Sequence, residues 1–205
     1  MYKQVANIIQ ELGLIFDKFN ETKFEGTLIK PVITVQSGQK LKAYGWCSVG
    51  HRWQDKEDNG YHEINISAEY INRDIPEIAE TMLHEMIHLW NQQNGIRDCS
   101  KQTGRHLKQF KDACDKFGLP VEKDSKGDWC ITKLNDELIQ LINTFGINDE
   151  VFNVFRKEQV EPEPKQRKPR TPKLKYMCSC GQEIESKVPV KAYCQQCNGE
   201  FELQN

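Results

Sequence analysis

Residues 84–88 read His84-Glu85-Met86-Ile87-His88. Two histidines at i and i+4 share one face of a helix, so both imidazoles can reach a single ion. Glu85 lies between them and is not needed as a ligand. It is placed instead to take a proton from water, because zinc lowers the pKa of water bound to it to about 7. Burying two unpaired imidazoles and a carboxylate on an apolar helix would be costly without such a role. The pattern therefore points to a catalytic zinc held by His84 and His88. A third ligand is required, and the chain's other histidines are His51, His62 and His106. His51 falls in a polar loop and His62 in a strand, which suits surface or substrate-side positions. His106 follows a loop that can fold it back on the first helix, and a glutamate from another helix is its rival. The gap from His88 to His106 is too long for the compact H-E-x-x-H-x-x-G-x-x-H pattern.

A second set of ligands lies near the C-terminus. Cys178 and Cys180 form a C-x-C pair, and Cys194 and Cys197 a C-x-x-C pair followed by Asn198-Gly199. Four thiolates on two turns satisfy tetrahedral zinc with no open position, so this zinc is expected to be structural. A segment of about 30 residues is too short for a self-sufficient apolar core, and the metal would supply much of its stability. Cys47, Cys99, Cys114 and Cys130 show no ligand spacing and read as buried or free thiols.

The elements that must position these groups follow from periodicity. Apolar residues from Val5 to Phe19 recur at helical spacing. Pro31 to Val35 and Tyr44 to Val49 read as short strands, and Gln36-Ser37-Gly38-Gln39 between them as a hairpin turn. Gly50 to Gly60 reads as loop, and Tyr61 to Ile66 alternates like a half-buried strand. Ser67 can cap a short helix to Asn72. The helix bearing His84 and His88 starts at Asp74, with Glu77 completing a capping box and Pro76 in the first turn. Asn94-Gly95 stops it. A further helix is expected from Arg105 to Phe117, which places His106 in its first turn. Trp129 to Thr132 reads as strand; Leu134 to Phe145 and Val151 to Arg156 read as helical.

The chain has 205 residues, 38% hydrophobic and 28% charged, enough apolar content for a packed core. It has no run of about 18 apolar residues, which argues against a membrane-spanning helix, and its start lacks the features of a secretory signal. A reducing, cytoplasmic setting is the expectation, where cysteine pairs more often bind metal than form disulfides. The 28 basic and 30 acidic residues are unevenly spread. Residues 165–205 hold 8 basic and 4 acidic residues, leaving 20 and 26 for the rest. The Pro-rich stretch 158–174 reads as a basic linker between a body, 1–157, and a small module, 175–205. Lys165, Arg167, Lys168, Arg170, Lys173 and Lys175 form a run free of acids, suited to phosphates through counterion release. Tyr176, Tyr193 and Phe201 are candidates to stack on bases.

The body also resembles a known family. Ile15-Phe16-Asp17-Lys18-Phe19-Asn20 with Phe24-Glu25-Gly26-Thr27-Leu28 is similar to the opening of SprT-like domains. Leu83 to His88 resembles the active-site helix of that family. Gly104-Arg105-His106-Leu107-Lys108-Gln109-Phe110 is similar to its third-ligand segment, although Arg105 separates Gly104 from His106 and no Gly-Pro follows. The resemblance implies an α+β, zincin-like metalloprotease domain, with His106 as third zinc ligand and Glu85 as the catalytic residue. It also implies a C-terminal zinc ribbon. Because the Spartan group acts on proteins attached to DNA, it implies a DNA-associated or DNA-crosslinked protein substrate. A DNA-binding adaptor with little turnover and a general peptidase with no DNA role are the alternatives.

Overall fold

The computed structural model describes residues 2–38, 43–157 and 172–204. The chain divides into two compact units, residues 1–159 and 160–205. The architecture is α+β, with four α-helices and several small sheets among the described residues.

The first unit opens with helix α1, Tyr2–Lys23. Its Ile8, Leu12, Ile15, Phe16 and Phe19 recur every three or four residues and are all buried, so this stripe faces the core. The chain then turns through Glu25 and Gly26, both at positive φ (56° and 71°), a conformation that Gly26 adopts without a Cβ penalty. Asn20 holds this turn: its side-chain amide donates to the Leu28 carbonyl and accepts from the Leu28 N–H, both at 3.1 Å. Phe24 and Leu28 are thereby delivered into the core.

Strands β1 (Val32–Gln36), β2 (Gly45–Cys47) and β5 (Glu63–Ser67) form the main sheet, with β3 (Trp53–Gln54) and β4 (Gly60–Tyr61) as a separate small hairpin. The order is β1-β5-β2, with β1 parallel and β2 antiparallel to β5. The expected hairpin from β1 to β2 does not form. β5 carries the fully buried Ile64 and Ile66 and takes the centre, between strands that are less buried. The stretch read as loop after residue 50 contains β3, which Asp55 ties to β4. Its carboxylate accepts from the Glu57 and Asn59 N–H groups and from the Tyr61 hydroxyl. The expected short helix after Ser67 is a pair of turns, because the Ser67 hydroxyl donates to the Ala43 carbonyl rather than capping.

Helix α2, Ile75–Gln93, runs through the middle of the unit and packs against α1, the sheet and both later helices. Ile78, Met82, Leu83, Met86, Ile87 and Leu89 are fully buried. Asp74 is its N-cap as expected, but its side chain makes no capping bond and the capping box is not formed. The backbone carbonyl of Asp74 instead accepts from the Glu77 and Ile78 N–H groups. Helix α3, Lys108–Phe117, ends at Gly118 in the left-handed conformation. Strands β6 (Val121–Glu122) and β7 (Ile131–Thr132) pair, helix α4 spans Asp136–Asn143, and a 3-10 turn follows at Asp149–Asn153.

In the second unit, β8 (Leu174–Met177) pairs with β9 (Glu183–Ser186) and with β10 (Glu202–Leu203), both antiparallel. Only Tyr176, Cys178 and Cys194 are buried among its described residues. Among the described residues of the whole chain, no helix is long and apolar enough to cross a membrane.

Candidate metal centre

The one-face spacing of His84 and His88 on α2 brings their Nε2 atoms to 3.3 Å, and His106 Nε2 stands 3.2 Å from that of His88. Three nitrogens held tetrahedrally at about 2.0–2.1 Å from one ion would stand about 3.3 Å apart, so the donor set fits zinc. His106 is not in a helix, contrary to the sequence expectation. It lies two residues before α3, in an antiparallel bridge to Cys99. Residues 98–107 form a hairpin closed by Leu107 N–H to the Asp98 carbonyl (2.7 Å) and Ser100 N–H to the Arg105 carbonyl (2.8 Å). A first turn of helix would have aimed the imidazole along α3, whereas the hairpin carries it across to α2. Phe110, fully buried on α3, closes the floor. Its ring stacks on His88 at 4.4 Å and lies 4.4 and 4.7 Å from those of His106 and His84.

Two carboxylates that the sequence reading did not select touch these histidines. Asp98 Oδ2 accepts from His88 Nδ1 at 2.7 Å, and Asp128 Oδ1 lies 3.1 Å from His106 Nδ1. Neither spacing is a motif, and only the folded loops bring them into place. Burial opposes a charge on His88, but the bond to Asp98 outweighs it and raises the imidazole to about 10. Asp98 thus makes His88 a strong base for whatever electrophile meets Nε2. Burial first, and then the neighbouring imidazoles, lower His84 well below its ordinary value. Burial and the His88 charge also lower His106, against the pull of Asp128. Both therefore present neutral, metal-competent nitrogens.

Glu85 is 6% exposed. Burial pushes its carboxyl up to about 7, against hydrogen bonding from the Cys47 backbone. That bond comes from the outer edge of β2. Ser48 N–H donates to Glu63 and Ser67 N–H to the Tyr44 carbonyl, so by ladder alternation Gly45 and Cys47 turn their polar groups away from β5. His51 and His62 stay outside this centre: their rings pack on each other at 4.8 Å, and His62 Nδ1 meets the Ser48 carbonyl. Of the four cysteines without ligand spacing, Cys114 is buried, and Cys99 lies within ligand reach of His88 and Asp98.

In the second unit, Cys178, Cys180, Cys194 and Cys197 place their sulfurs within 4.8 Å of one another. Neighbouring pairs stand at 3.0, 3.6 and 3.9 Å, all too far for disulfides; the last two are close to the ~3.8 Å that four sulfurs at about 2.3 Å from one ion would show, and the C-x-C pair, Cys178 with Cys180, is tighter than that. The Gly199 backbone and the neighbouring Cys180 and Ser179 side chains lower the Cys197 thiol, favouring the thiolate that binds metal.

Of the six basic residues expected to meet DNA, Lys165, Arg167, Lys168 and Arg170 lie outside the described residues. Lys173 is ion-paired with Glu185 at 2.5 Å, and Lys175 sits across from the same Glu185 on β9. Tyr176 is no stacking platform: it is buried, and its hydroxyl accepts from the Val190 N–H at 3.2 Å. Tyr193 is 60% exposed and Phe201 is half-buried.

Comparison with known protein families matches residues 12–125 to the SprT-like family. That stretch spans α1 to β6 and includes all three histidines, Glu85 and Asp98, while Asp128 and the four-cysteine unit lie beyond it. No curated protein and no solved structure matches the chain. The matched stretch covers more than half of the sequence, and the chain belongs to the SprT-like family.

Proposed function

We propose that the protein is a zinc-dependent metalloendopeptidase that acts on DNA-associated or DNA-crosslinked proteins. The observation that carries the hydrolytic part is the convergence of three Nε2 atoms, with His88 within 3.3 Å of both others, beside a buried Glu85. Family membership supports a metalloprotease-type domain. His84, His88 and His106 would hold the ion, which when bound supplies a Lewis acid to polarise a carbonyl and acidify water. Glu85 then takes the proton of the attacking water and passes it to the leaving amine. Burial raises the Glu85 carboxyl, the direction that suits a group that both takes and returns a proton near neutral pH. The outer edge of β2 supports an extended peptide as substrate, because Gly45 and Cys47 turn their backbone groups away from β5 on the side where Glu85 lies. Cys178, Cys180, Cys194 and Cys197 would hold a structural zinc. The DNA part rests on the basic run at 165–170 and on the adjoining four-cysteine unit, which would bring the protease to its substrate.

The test compares wild type with Glu85→Gln on a DNA-bound protein, each with and without DNA. Glutamine keeps the shape but takes no proton, so zinc content should be unchanged and cleavage should fall about 100- to 10,000-fold. Wild-type cleavage should be faster with DNA. Equal cleavage by both proteins would remove Glu85 from the mechanism. No cleavage by either, with DNA binding intact, would establish an adaptor instead, and cleavage indifferent to DNA a general peptidase.

A further inference from the structure

We propose that Asp98 and Asp128 are positioning residues of the histidine centre, each fixing one imidazole through Nδ1 so that its Nε2 faces the common point. This rests on reading the three histidines as a metal site.

Asp98 is only 6% exposed, yet its Oδ2 receives two donors: His88 Nδ1 at 2.7 Å and Asn91 Nδ2 at 2.9 Å. Asn91 is itself fully buried on α2, one turn after His88. A carboxylate held this way fixes which nitrogen of the ring carries the proton and which way the ring faces. The same residue starts the hairpin that brings His106, since its backbone carbonyl accepts from Leu107 N–H. Asp98 therefore governs the second histidine through its side chain and the third through its backbone.

Asp128 acts on the third histidine from the other side. Its Oδ1 accepts from the His106 backbone N–H at 2.9 Å and lies 3.1 Å from Nδ1, which fixes both the main chain and the ring. Asp128 is in turn anchored by Asp124, whose Oδ1 accepts from the Asp128 and Lys126 N–H groups at 2.9 and 2.8 Å. His84 is treated differently. Among the described residues no carboxylate bonds to it, and its ring rests against Phe110. The centre thus has two imidazoles held by carboxylates and one held by packing.

The experiment titrates the full chain with zinc against a chromophoric chelator. The site lost in His84→Ala identifies the histidine centre and separates it from the four cysteines. Asp98→Asn and Asp128→Asn keep an acceptor oxygen but lose the charge. Each should weaken zinc at the histidine centre by about 10- to 100-fold, leaving the cysteine site unchanged. The unfolding midpoint of the chelator-treated protein should stay at the wild-type value, which separates positioning from a general structural role. Unchanged zinc affinity in both variants would overturn the proposal, as would a metal-free midpoint that falls as far as the metal-loaded one. If Asp98→Asn does not fold, the more exposed Asp128→Asn decides. A wild type without any site lost in His84→Ala would instead overturn the metal-site reading itself.

Discussion

Gly45 has no side chain, and none would fit. A Cβ built there would lie 2.8 Å from the Asn65 carbonyl oxygen, 3.1 Å from Thr81 Cγ2 and 3.4 Å from Glu85 Cγ. The missing side chain is what lets β2 lie directly on the turn of α2 that ends in Glu85. Gly45→Ala should therefore lift β2 off α2, cost about 1–3 kcal/mol by overpacking, and loosen the Cys47 contact with Glu85. Thermal unfolding and peptide turnover measured together check this. A variant as stable and active as wild type would mean that β2 can shift without consequence. The sequence marks no such role for Gly45, since the clash is with residues 20 to 40 positions away. Asp98 and Asp128 were hidden for the same reason: each meets its histidine across a loop. His84, Glu85 and His88 were legible because all three sit within five residues of one helix, whose period alone puts both imidazoles on one face. His106 is a candidate from its place after a loop, with a glutamate as rival, and the family resemblance favours it; the residues around it read as helix because a hairpin of polar residues has no periodicity to reveal it.

At the scale of elements, what was legible is what local pattern dictates. α1, α2, β1 and β5 lie close to where apolar spacing places them, and Gly118 ends α3 as expected. Strand pairing was not legible. The proximity of β1 and β2 in sequence suggested a hairpin, but burial of Ile64 and Ile66 decides which strand is central. The four-cysteine unit shows the opposite limit, a fold with almost no core. Beyond two cysteines, Tyr176 is the only buried hydrophobic residue among its described positions. Its three short strands have little else to hold them together, so metal binding and folding should be one event. A strong chelator added to the full chain should make residues 172–204 sensitive to protease and collapse their amide dispersion. The first unit should stay folded on the apolar cluster of α1, α2, α3 and β5. Retained structure in the C-terminal unit after complete metal removal would show that the strands suffice without it.

At the scale of the whole molecule, the distribution of charge says where DNA affinity must reside if the chain has it. The net charge is -2. From residue 172 onward the sequence has four lysines, Lys173, Lys175, Lys187 and Lys191, and four glutamates. Lys173 is paired with Glu185 and Lys191 with Glu200, so this module is electrically balanced and its cations are partly spent on its own carboxylates. The surplus lies in Lys165, Arg167, Lys168 and Arg170, with no acidic residue among them. Four phosphate contacts release enough counterions to give a slope of log K against log salt of about -3 to -4. Replacing those four by glutamine should flatten that slope and abolish measurable binding at physiological salt. Replacing Lys187 and Lys191 should change it little. Anisotropy titrations of a labelled oligonucleotide across a salt series read both outcomes. The four-glutamine variant should also lose the DNA-dependent part of its cleavage of a DNA-bound protein while cutting a free peptide at the wild-type rate, because only local concentration has been removed. A slope that survives in that variant would move the phosphate contacts to another surface and end the assignment of residues 165–170 as the tether.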